Sequence, residues 1–89
     1  MTIKESKNLI YDRFPLLKRY EGYNTVDPSK CFLESFNPVD DRIELHFKNG
    51  REAVIRAKNV EGGRELDLIE NRLPDFIDKS YEEILNTDF

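Results

Sequence analysis

Histidine, cysteine and carboxylate side chains are the groups in this 89-residue chain that could move protons, attack a carbonyl or hold a metal. The one histidine, His46, lies two residues from Glu44 in Arg42-Ile-Glu-Leu-His-Phe-Lys48. A general base oriented by a carboxylate would use such a pair. Strand neighbours at i and i+2 are spaced too far for a dependable hydrogen bond, however, and no nucleophile accompanies the pair in a motif. His46 therefore reads as a surface residue. Cys31 stands alone beside Phe32 and Leu33. It reads as a small apolar core group, and it excludes an internal disulfide.

Asp40-Asp41 with Asp27 or Glu44 has the ligand type for a hard cation. A calcium loop needs six or more oxygens and an internal glycine, and that pattern is missing. Two adjacent aspartates between strands mark a turn. Glu61-Gly62-Gly63-Arg64 lacks the Gly-Lys-Ser/Thr ending of a phosphate loop and reads as a flexible strand-to-helix joint. The expected set of catalytic, metal-binding and cofactor-binding residues is therefore empty.

Two segments have the composition of a partner surface. Tyr11, Phe14, Tyr20 and Tyr23 put four rings into thirteen residues, with Arg19 among them. One short helix cannot bury all four, and Tyr and Arg are enriched at interface hot spots. The second segment is acidic. Residues 1–30 carry +2 and residues 31–60 carry 0, whereas residues 61–89 hold nine Asp/Glu against three Lys/Arg, or −6. Glu65, Asp67, Glu70, Asp75, Asp78, Glu82 and Glu83 form a helical stripe, either a solvated face or a steering surface for a basic partner. The candidate partner-binding residues are Tyr11, Arg19, Tyr20, Tyr23, Glu70, Asp75, Asp78, Glu82 and Glu83.

Composition narrows the class. The net charge of −4 and the acidic C-terminal third disfavour a polyanion partner, which needs Lys and Arg to displace counterions. No apolar run is long enough to span a bilayer, and residues 1–8 lack an apolar signal region, so a cytoplasmic location without membrane contact is expected. The length suits a single compact domain over residues 1–89.

The elements that must carry these side chains follow from periodicity. Ile43, Leu45 and Phe47 alternate with Glu44, His46 and Lys48, the period of a strand with one buried face. Asn49-Gly50 then supplies a hairpin turn. A two-residue loop would pair Phe47 with Glu52 and Ile43 with Arg56, stacking charge on the apolar face. A three-residue loop, Lys48-Asn49-Gly50, pairs Phe47 with Arg51, Leu45 with Ala53 and Ile43 with Ile55. One residue of slip exchanges the faces, so burial selects the second register. Gly50 is then left-handed, Gly50→Val is expected to harm stability and Asn49→Asp is not.

Upstream, Ile3, Ile10, Phe14 and Leu17 fall near one helical face, which predicts a helix from Ile3 to Arg13. Pro15 breaks it, with a short second turn over Pro15 to Tyr20 and Gly22 as a left-handed cap. Residues 31–36 read as a third strand, with a helix capped by Asp27 as the alternative. Asn37 to Asp41 connects it to the hairpin. Leu66, Ile69 and Leu73 share a helical face that ends at Pro74. Ser80 and Glu83 have capping-box spacing before a last helix, Tyr81 to Asn86.

The expected fold is α+β: a small antiparallel sheet, made of hairpin 42–57 and a third strand 31–36, packed by an N-terminal helix and two short C-terminal helices. The expected role is a small non-catalytic cytosolic protein-binding module. Its specific form is an acidic inhibitor, antitoxin or immunity-type protein acting on a basic protein surface. The alternative is a nucleic-acid-associated accessory protein using the N-terminal basic and aromatic segment. A homodimer closed over Ile84, Leu85 and Phe89 is the further partner expectation.

Overall fold

The computed structural model describes residues 1–6, 8–13 and 27–89. Its centre is the hairpin of β3 (Arg42–Phe47) and β4 (Glu52–Ala57). Ile43 pairs with Ile55 and Leu45 with Ala53, the register that burial selects. Ile43, Leu45, Phe47, Ala53 and Ile55 are all at most 1% exposed. The Gly50 N–H donates to Phe47 O (2.9 Å) and the Phe47 N–H to Arg51 O (2.9 Å). Gly50 has φ +83°, the left-handed conformation that glycine adopts without a Cβ penalty.

β2 (Leu33–Val39) pairs antiparallel with β3, confirming a strand over most of residues 31–36. It runs further than expected, through Asn37-Pro38, and the connection shrinks to Asp40-Asp41. Pro38 is tolerated because β2 lies at the sheet edge, where a missing N–H breaks no ladder. Asp40 takes φ +50° in the turn, a conformation that aspartate accepts more readily than most residues. The start of β2 is closed off by the chain before the last helix. The Leu33 N–H donates to Lys79 O (2.9 Å), the Asp78 N–H to Leu33 O (2.8 Å), and Tyr81 N–H to Cys31 O (2.8 Å). Such pairing shields an edge that would otherwise recruit another strand.

The N-terminal helix is corrected. Thr2 and Glu5 form a reciprocal capping box, with Thr2 N–H to Glu5 Oε1 at 3.0 Å and Glu5 N–H to Thr2 Oγ1 at 3.2 Å. Only about one turn follows before the chain straightens into β1 (Ile10–Arg13), which joins the other side of β4. The sheet order is β1-β4-β3-β2. Ile10, spaced for a helix, is buried instead as a strand residue opposite Ala57. A free β4 edge offers backbone hydrogen bonds that outweigh a weak local helical pattern. The expected break at Pro15, the turn to Tyr20 and the Gly22 cap lie outside the described residues.

The helices cover one face of the sheet. α1 (Val60–Arg72) packs against β4, β1 and β3 through Leu66 and Ile69, with Leu73 following. It starts earlier than expected, so Gly62-Gly63 is its first turn rather than a joint. Asn59 caps it, its Oδ1 accepting from Gly62 N–H at 2.8 Å and its Nδ2 donating to Asn8 O at 3.3 Å. Gly62 is needed for contact: a Cβ there would lie 1.9 Å from the Leu9 carbonyl oxygen. Pro74 falls in a 3-10 turn, Leu73–Phe76, that continues directly from α1. α2 (Tyr81–Asn86) is capped by Ser80, whose Oγ accepts from Glu83 N–H at 3.2 Å. Its Tyr81 meets Phe47 with ring centroids 5.3 Å apart.

Ile84 and Leu85 are buried in this core, and Phe89 packs against it beside Phe76. Ile84 and Leu85 thus pack within their own chain, so they are not the surface that a second copy would cover.

Candidate functional site

The sheet face left uncovered by α1 and α2 carries Arg42, Glu44 and His46 on β3 and Val54 and Arg56 on β4, all half-buried, with exposed Glu52 beside them. Cross-strand pairing, rather than i,i+2 spacing, decides who meets His46. Its Nδ1 lies 3.4 Å from Glu52 Oε1, while Glu44 is paired with Arg42 (3.7 Å) and bonded by Asn37 (3.4 Å). Ser35 is the register partner of His46 on β2, so Ser35, His46 and Glu52 form one row across three strands. That row has the residue types of a nucleophile, a base and an orienting acid. His46 and Glu52 are 38% and 50% exposed, however, and water screens the fields that would activate a serine. Among the described residues, no hydrogen bond links Ser35 to His46.

Cys31 is fully buried, and its Sγ accepts from Asn49 Nδ2 at 3.3 Å. That contact changes the expectation for Asn49→Asp, because a carboxylate cannot donate to the sulfur. Asp27 is engaged by its own turn, accepting from Ser29 N–H (2.9 Å) and Oγ (2.7 Å). The Ser29 hydroxyl, then the backbone amide, hold its carboxyl below the usual carboxylate range. Asp41 faces Arg56 at 3.7 Å. Among the described residues, no three His, Cys, Asp or Glu side chains converge as a metal site.

The acidic stripe divides. Glu65 is corrected: it is only 9% exposed and leaves the outer surface. Its position adjoins Leu66 on the side of α1 that meets the rest of the fold. Asp78 is exposed but paired with Lys48, on backbone at φ +71°. Glu70 is half-buried on α1, and Asp75, Glu82 and Glu83 are exposed on the 3-10 turn and α2. Among the described residues no ion pair involves Glu70, Asp75, Glu82 or Glu83. Lys79, exposed three residues before Glu82, makes no ion pair with them, and Arg72, also exposed, is engaged by its own chain. Its guanidinium lies over the Phe89 ring (5.2 Å) and the Phe76 ring (6.0 Å) and donates to Asp88 O at 2.9 Å. Glu82 and Glu83 also serve α2 itself, since negative charge in a first turn complements the helix dipole.

Three exposed apolar residues lie along this stretch of chain, and the charge pattern alone did not single them out: Val60, 77% exposed, opens α1. Leu68, 51% exposed on α1, follows Asp67, and Ile77, 36% exposed, lies between Asp75 and Asp78. Leu68 stands off the helical face set by Leu66, Ile69 and Leu73, whereas Ile77 continues that spacing past Pro74, where α1 has already ended.

Of the aromatic and basic candidates, Tyr11 lies on β1 with Arg56 as its register partner. Arg19, Tyr20 and Tyr23 lie outside the described residues. Among the described residues no helix is long and apolar enough to cross a membrane.

The chain matches no protein-family model, and neither the curated proteins nor the solved structures include a significant match. The fold is α+β with an antiparallel sheet, and an architecture of this class does not by itself specify a function.

Proposed function

We propose that this chain is a small non-catalytic protein-binding module whose acidic C-terminal surface docks on a basic surface of a partner protein. Inhibitor, antitoxin and immunity-type proteins work in this way, by covering a basic active site with complementary charge. The observation that carries the reading is the charge of Asp75, Glu82 and Glu83, exposed and in no ion pair among the described residues, with Arg72 engaged by Phe76, Phe89 and Asp88 and Lys79 the one basic residue between Asp75 and Glu82. Unpaired surface charge of one sign speeds encounter with a basic partner and lowers affinity for acidic ones. Exposed Leu68 and Ile77, each next to an acidic residue in the chain, offer apolar contact to a partner.

The test compares the tagged chain with an Asp75→Lys/Glu82→Lys variant in capture from host lysate after nuclease treatment. Asp75 and Glu82 make no hydrogen bond through their side chains among the described residues, so the variant gives up only the helix-dipole contribution of Glu82 and keeps the fold. A basic protein captured by the wild type, released by salt and lost from the variant is the expected result. Equal capture by both chains contradicts the proposal, and capture abolished by nuclease points to nucleic acid instead.

A further inference from the structure

We propose that Asn49 is a latent modification site: its carboxamide converts to an acid when the β3–β4 turn opens, and the conversion unlatches the turn from Cys31. The pair Asn49-Gly50 has the constitution for this reaction, because no Cβ on Gly50 hinders approach of its backbone nitrogen to the Asn49 side chain. Hydroxide from water removes the Gly50 N–H proton. The nitrogen then forms a bond to Asn49 Cγ, the Cγ–Nδ2 bond breaks, and ammonia leaves with a proton returned by water. Water opens the resulting five-membered imide at one of its two carbonyls. Cleavage at Cγ gives aspartate at position 49, and cleavage at the backbone carbonyl gives isoaspartate.

In the closed turn, each group that must move is held. The Gly50 N–H, whose nitrogen is the nucleophile, donates to Phe47 O at 2.9 Å. Asn49 Oδ1 accepts from Arg51 N–H at 3.0 Å, and Nδ2 donates to Cys31 Sγ at 3.3 Å. The carboxamide is thus pinned at both ends, and one anchor is a fully buried sulfur. Both residues are exposed, so water and hydroxide reach them without hindrance. Reaction is limited by geometry, and one event, local opening of the hairpin end, releases all three contacts together.

The products cannot close the turn in the same way. An aspartate carboxylate has no donor for Cys31 Sγ. Isoaspartate adds a methylene to the backbone of the three-residue loop that sets which face of β3 and β4 is buried. Conversion therefore records opening irreversibly and weakens the element that opened.

The experiment incubates the full chain at mildly alkaline pH, in buffer and in urea. It follows the amide-to-acid mass gain in the peptide containing Asn49, with isoaspartate detected by enzymatic methylation. Conversion in buffer is expected to be slower by about tenfold or more than in urea. Cys31→Ala should accelerate it in buffer and leave the urea rate unchanged. Should that variant fold poorly, the wild type serves alone. Below the unfolding midpoint, conversion should rise with urea in step with hydrogen exchange at the Gly50 amide. Equal rates in buffer and urea, or conversion that ignores exchange, would overturn the proposal. So would an unchanged Tm in the purified product.

Discussion

The covered face of the hairpin and the outer surface of the C-terminal helices lie in one small domain and answer to different physics. On the first, Ile43, Leu45, Phe47, Ala53 and Ile55 are packed out of water by α1 and α2. On the second, Asp67, Asp75, Glu82 and Glu83 are exposed, as are Leu68 and Ile77. The first face holds the fold through removal of apolar area, a short-range effect sensitive to single methylenes. The second contributes little to stability, because exposed charges are screened and pair weakly. In the proposed role it acts at a distance, through the field it presents to another molecule. Substitutions should therefore separate into those that change stability and those that change association.

The largest effect should come from Leu45→Ala, which empties a fully buried position between the sheet and its helices. A loss of about 2–5 kcal/mol is expected in denaturant titration, and a loss below 1 kcal/mol would mean that the two layers are not packed as described. Gly62→Ala should follow, at about 1–3 kcal/mol, because the new Cβ collides with the Leu9 carbonyl. In a chain where that contact is absent, the same change would stabilise α1 instead, so the sign of the shift decides. Gly50→Val should cost about 1–2 kcal/mol through its left-handed backbone. Ser80→Ala, which removes the α2 cap, should cost about 1 kcal/mol. Asp75→Lys/Glu82→Lys should move stability least, by about 0.5 kcal/mol or less per site, while slowing association with a basic partner. A large stability loss in that last variant would merge the two regions and remove the contrast between them.

The hairpin was readable because a period of two, a turn dipeptide and a burial constraint all agreed on one register. α2 was readable for a similar reason, since Ser80 and Glu83 mark its start and Ile84 and Leu85 share its buried side. β1 was hidden. Ile3 and Ile10 are spaced as on a helix, and nothing local reveals that β4 has a free edge to receive Ile10. The early start of α1 was hidden as well, because a Gly-Gly pair suggests a joint until the approach of Leu9 is known. At the candidate site, charge sign was legible from composition alone. Which acids remain at the surface was not, because the burial of Glu65 and the Asp78–Lys48 pair depend on tertiary placement. Likewise, Glu52 as the neighbour of His46 follows from strand pairing across the turn, not from sequence proximity.

The most direct measurement is the association rate of the captured partner with the wild type and with Asp75→Lys/Glu82→Lys, across a range of ionic strength. The wild-type rate should fall steeply with salt, the variant should start lower and depend on salt less, and the two should converge at high salt. Parallel, superimposable salt curves for both chains would contradict the proposed role.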